Sequence, residues 1–133
     1  MHEWSLTVPV AKLDDEQQIV TGWALILTDA QGRSVVDSQG DMIAVAELEK
    51  AAHELVLSGG AGKTDDMHER FGVGDVVESL VVTAEKRKAL GLGDGPDGWA
   101  VTMKIRDAKT WADVKAGRKL ELSIYGSARR TDA

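Results

Sequence analysis

Cysteine is absent from the 133 residues. Disulfides and thiolate chemistry are therefore excluded, and a reducing cytoplasm suits the chain. No apolar run is long enough to span a bilayer, and the first thirty residues carry no signal-peptide pattern. Positive charge is in deficit: 16 Lys and Arg stand against 22 Asp and Glu, a formal net charge of −6. A large basic footprint for nucleic acid is not expected, and the Arg129-Arg130 pair is too small to supply one. Phe and Tyr occur once each, against four Trp. Three histidines without HExxH-type spacing give no metal site, and no cofactor is expected. What is present is 43% hydrophobic residues, enough for one compact domain over 1–133 with a real core.

Alternation marks the strands. Trp4, Leu6, Val8 and Val10 alternate with Ser5, Thr7 and Pro9, and the proline predicts an edge strand. Ile19 to Leu27 reads as a second strand with a bulge at Gly22. Val76 to Ala84 is a third, after a Gly-rich loop over Phe71 to Asp75. Trp99 to Arg106 is another, with Trp99, Val101, Met103 and Ile105 on one face. Val45 to Leu57 predicts a helix with Val45, Leu48, Ala52, Leu55 and Val56 on its apolar side, stopped at Gly59-Gly60. A short helix over Ala108 to Ala116 has Asp107 as N-cap and Gly117 as stop. Glu85 to Gly98 reads as an exposed connection, with Asp94 and Asp97 at a hairpin tip; their oxygens are too few and too irregularly spaced for calcium. Strands and helices do not alternate regularly. The predicted fold is mainly β with flanking helices (α+β): a small, mostly antiparallel barrel or curled sheet with two helices outside.

Ser58-Gly59-Gly60-Ala61-Gly62-Lys63-Thr64 imitates a phosphate-binding loop. Leu57 stands where the motif needs its first glycine, and a helix precedes it instead of a strand. It reads as a flexible loop.

The candidate chemistry lies in Leu120-Glu121-Leu122-Ser123-Ile124-Tyr125-Gly126. Leu120, Leu122 and Ile124 share one strand face, so Ser123 is expected on the other, away from the core and facing a cleft. A lone strand serine is ordinarily just solvated. The hydroxyl becomes a nucleophile only when a base takes its proton, and imidazole does this best near neutral pH. His2 is terminal and His53 reads as a surface position on the helix, which leaves His68, beside Met67. A third group must orient the ring. Glu78 is the candidate, with Asp41, Asp66 and Glu69 as rivals.

The sequence resembles the XkdF-like branch of the phage prohead (capsid maturation) serine proteases. The likeness runs through Gln18-Ile19-Val20-Thr21-Gly22, Val36-Asp37-Ser38-Gln39-Gly40-Asp41, Glu47 to His53, Met67-His68, Val76-Val77-Glu78-Ser79, Trp111, Lys115, Gly117 and Leu122-Ser123-Ile124-Tyr125-Gly126. Glu121-Leu122 and Tyr125 replace the family's usual Gly-Phe before the serine and second glycine after it. The resemblance implies a herpesvirus-assemblin type of fold, Ser123 as nucleophile and His68 as its base. It implies an endopeptidase that cuts phage scaffold and major capsid proteins inside the immature procapsid, in the host cytoplasm. It also implies activation by self-association, for which Trp111, next to Val114 on the short helix, is the expected contact. The competing function is a non-catalytic capsid-assembly or scaffold-binding module on the same fold.

Overall fold

The structure, a computed structural model, describes residues 2–28, 45–59, 64–66, 70–118 and 121–128. In chain order the elements are β1 (His2–Pro9), β2 (Lys12–Asp14), β3 (Ile19–Ile26), α1 (Val45–Leu57), β4 (Thr64–Asp66), β5 (Arg70–Val82), α2 (Ala84–Leu90), β6 (Gly98–Ile105), α3 (Ala108–Lys115) and β7 (Glu121–Ala128). The strands form one sheet in the order β1-β7-β4-β5-β6-β3-β2. Each described pairing is antiparallel. β1 is an edge strand, as Pro9 predicts.

The sheet curls without closing. No ladder joins β1 to β2 among the described residues, so the barrel alternative is corrected to an open, curled sheet. The curl is tight, because β1 comes back against β3. A Cβ at Gly22 would overlap the Pro9 carbonyl oxygen, and the Ala11 N–H donates to the Thr21 carbonyl at 3.0 Å. Gly22 therefore serves close backbone approach. The register shift in β3 falls between Trp23 and Leu25 instead.

Trp99, Val101, Met103 and Ile105 are buried as the alternation of β6 requires. They join Val8, Val20, Leu122, Ile124 and the α1 residues Leu48, Ala52 and Leu55 in a contiguous core. Val45 and Val56, expected on the same side of α1, are exposed. They flank the 48/52/55 stripe at the two ends of the helix. α3 begins where predicted: the Asp107 carboxylate accepts from the Thr110 N–H and hydroxyl, each at 2.8 Å. Its Trp111 and Val114 are buried in the core. Trp111 is 7% exposed, which withdraws it as a surface for self-association.

Two further readings are corrected. Residues 71–75 belong to β5, because β4 and β6 pair with Gly74 from either side. Residues 84–90 are a helix, so the described helices number three. No residue of α2 is buried, so it lacks the apolar stripe that would have announced it. Its ends hold it: the Thr83 hydroxyl accepts from the Lys86 N–H, and Gly91 closes it at φ +68°. Arg87 then pairs with Asp97 and donates to the Pro96 carbonyl at 2.8 Å. Asp94 and Asp97 thus sit between a helix and a strand, not at a hairpin tip.

Candidate functional site

β7 lies inside the sheet, between β1 and β4. Leu122 and Ile124 pair with Val8 and Leu6 and are fully buried. Ser123 pairs with Thr7 on one side and Asp65 on the other, on the opposite face of the strand. That face is covered too: Ser123 is 1% exposed. The expectation that Ser123 borders an open cleft is corrected. An interior strand has neighbours on both sides, and α1 packs against β7.

His68 lies outside the described residues, as do Asp41, Glu69 and the Arg129-Arg130 pair. The chain around His68 is bracketed by a β4–β5 pairing, Asp66 with Arg70. Gly126 pairs with Trp4. His53 is exposed on α1, as read from the sequence. The imitation phosphate loop begins at the end of α1, where the Ser58 hydroxyl donates to the Leu55 carbonyl at 2.7 Å; residues 60–63 lie outside the described set. Among the described residues no group of His, Cys, Asp or Glu is placed to hold a metal ion, and no helix is long and apolar enough to cross a membrane.

Glu78 is exposed on β5, opposite Thr102 of β6. Its place relative to Ser123 follows from the ladder. Thr64 pairs with both Ile124 and Gly74, which aligns those two residues across β4. Glu78 lies four positions beyond Gly74, with a register shift between Val76 and Glu78, while Ser123 lies one position back from Ile124. At about 3.3 Å per residue and 4.8 Å per strand, the two Cα atoms are about 15–20 Å apart. A serine, one imidazole and a glutamate in line span roughly 14 Å. Measured along the ladder, Glu78 therefore stands at or beyond the end of such a line.

Glu78 belongs to another feature, one that the sequence reading missed. A cleft of about 520 Å³ opens between the end of α1 and β5, lined by Val56, Gly59, Val76, Val77, Glu78 and Ser79. The register shift turns Val77 outward, 51% exposed. Ser79 is tied inward, its hydroxyl accepting from the Trp99 indole N–H at 2.8 Å. Among the described residues the Glu78 carboxylate has neither hydrogen bond nor ion pair. The available signal was a carboxylate immediately after Val76-Val77, inside a β-branched run.

Comparison with known proteins adds the context that the geometry lacks. A family model described as "Putative phage serine protease XkdF" matches residues 7–132. "Uncharacterized protein YqbD" of Bacillus subtilis (strain 168) is 33% identical over 120 residues, which is 90% of this chain and 34% of that protein. The chain thus spans about a third of the length of this curated relative. No solved structure matches.

Proposed function

Because the chain belongs to the XkdF family of phage serine proteases, we propose that it is a serine endopeptidase cutting scaffold and major capsid proteins during prohead maturation. Ser123 is the nucleophile and His68 its base. The observation that carries the pairing is the register of Ser123 with Asp65. His68 follows Asp65 by three residues, so at most about 11 Å of backbone separates it from the strand beside Ser123. His68 takes the hydroxyl proton as Oγ attacks the peptide carbonyl carbon, then gives it to the leaving amine as the C–N bond breaks. Water cleaves the acyl-Ser123 ester by the same relay, so each turnover consumes one water and yields an acid and an amine. Glu78 was the sequence's candidate for orienting the ring; at about 15–20 Å it enters this reading through substrate contact instead. The proposal places the protein in the immature procapsid. It carries with it a herpesvirus-protease type of fold and self-association as the control of activity. The curled antiparallel sheet with helices packed on it supports the fold.

The burial of Ser123 favours a second reading, a capsid-assembly or scaffold-binding module that does not hydrolyse. A fluorophosphonate probe separates the two. Labelling that maps to Ser123 and is lost in His68→Ala supports the protease. The binding module predicts no labelling, and processing of co-expressed capsid and scaffold proteins that is the same in Ser123→Ala as in the parent chain.

A further inference from the structure

The cleft beside Glu78 is separate from Ser123, and its chemistry is specific. Val56, Val76 and Val77 supply apolar walls, and Glu78 supplies a carboxylate that no described residue neutralises. The Lys86 ammonium is engaged elsewhere: it donates to the Val81 carbonyl at 2.8 Å and lies 3.9 Å from Glu49. An aliphatic stem ending in a positive charge matches both parts of this lining, which describes a lysine or arginine side chain.

The backbone beside the cleft suits an extended polypeptide. β4 pairs with β5 at Arg70 and Gly74. Beyond Gly74, β5 keeps β6 as its neighbour and has no strand on its other side among the described residues. A strand flank with no described strand beside it, next to a side-chain cleft, is a place where a sheet can bind an extended peptide, with main-chain pairing for affinity and the cleft for specificity.

We propose that this cleft is a remote subsite for the substrate, taking a Lys or Arg side chain on an extended segment. The inference rests on the endopeptidase reading for its role and on the cleft for its chemistry. The distance sets the spacing. At about 3.3 Å per residue, the 15–20 Å between Glu78 and Ser123 corresponds to about five residues of extended chain. Cleaved substrates therefore carry a basic residue about five positions from the scissile bond, and binding energy collected there is available to hold that bond against Ser123. A net charge of −6 on the enzyme works in the same direction, favouring approach of a basic segment.

The test uses two short fluorescein-labelled peptides, rich in Thr and Val and identical except for a central lysine or glutamate. They are titrated onto the full chain carrying Ser123→Ala, which prevents turnover. The lysine peptide is expected to bind about fivefold more tightly at low salt, with the difference shrinking as ionic strength rises. Adding Glu78→Gln should bring the two peptides towards parity, and Glu78→Lys should reverse their order. Equal binding by the two peptides, or a lysine preference that survives Glu78→Lys, overturns the proposal. Fluorophosphonate labelling of the parent chain reports on the protease reading separately. Labelling without charge preference removes the subsite and keeps the protease. Charge preference without labelling keeps the cleft as a basic-segment site and removes the protease.

Discussion

A serine that is 1% exposed meets a peptide carbonyl only after its cover moves, so the proposed role of Ser123 requires opening as well as a base. The base leaves a signature in pH. Imidazole accepts a proton only when neutral, so phosphonylation of Ser123 by the fluorophosphonate, with loss of fluoride, should rise as pH climbs through about 6–7.5. A profile that stays flat between about pH 5 and 8 argues against His68 in that role. The neighbouring strand holds a second hydroxyl in a different predicament. Thr64, paired with Ile124 and Gly74, is fully buried, and its Oγ1 has no hydrogen-bond partner among the described residues. Burying an unpaired hydroxyl costs about 1–3 kcal/mol. The isosteric Thr64→Val removes that cost, so the variant should melt several degrees above the parent in a thermal scan. A lower melting temperature would mean that the hydroxyl is serving an interaction.

Among the elements, β1 and β3 carry the constraint that curls the sheet. Gly22 is the contact point, since any Cβ there would overlap the Pro9 carbonyl oxygen and crowd Val8. Gly22→Ala must push two backbones apart and should destabilise the protein by about 1–3 kcal/mol in urea unfolding. Gly95 is the control, because a Cβ there meets nothing within 4 Å. Gly95→Ala should stay within about 0.5 kcal/mol of the parent. Equal effects at the two positions would show that the sheet tolerates separation of β1 from β3. The register shift of β5 acts at the same scale. By turning Val77 outward beside Glu78, it makes a cleft wall from a residue that a regular strand would have aligned with its neighbours.

For the molecule as a whole, the tryptophans answer a question of allocation. Four are many for a chain with one Phe and one Tyr, and an exposed Trp111 was the expected oligomer contact. Instead Trp99 and Trp111 both fill the core. Trp111→Ala should therefore unfold the protein, with a loss of about 3–5 kcal/mol, before it can affect any association. If the variant kept the parent's stability and lost only concentration-dependent activity, the contact role would return. Self-association itself is tested by dilution: specific activity that rises with enzyme concentration supports it, and activity independent of dilution removes it.

The sequence by itself determined whatever is written within a few neighbouring residues. The bounds of α1 follow from its 3.6-residue apolar spacing and from Gly59 at φ +97°. Asp107 announced the start of α3, the alternation of Trp99, Val101, Met103 and Ile105 gave the buried face of β6, and Pro9 gave the edge. Ser123 was legible as a strand residue opposite to Leu122 and Ile124. Its burial was not, because β7 is flanked by β1 from the start of the chain and by a three-residue β4, and nothing local encodes those partners. The extension of β5 through Gly72 and Gly74 was hidden for the same reason: the two glycines look like a loop until strands on both sides pair with Gly74. α2 escaped because caps and an ion pair hold it without an apolar face. The separation of Glu78 from Ser123, and the cleft that Glu78 lines, depend on ladder register across three strands. Periodicity and capping are local interactions, whereas register and burial are set by pairing between distant segments. Tertiary structure therefore decided where the candidate residues stand relative to one another.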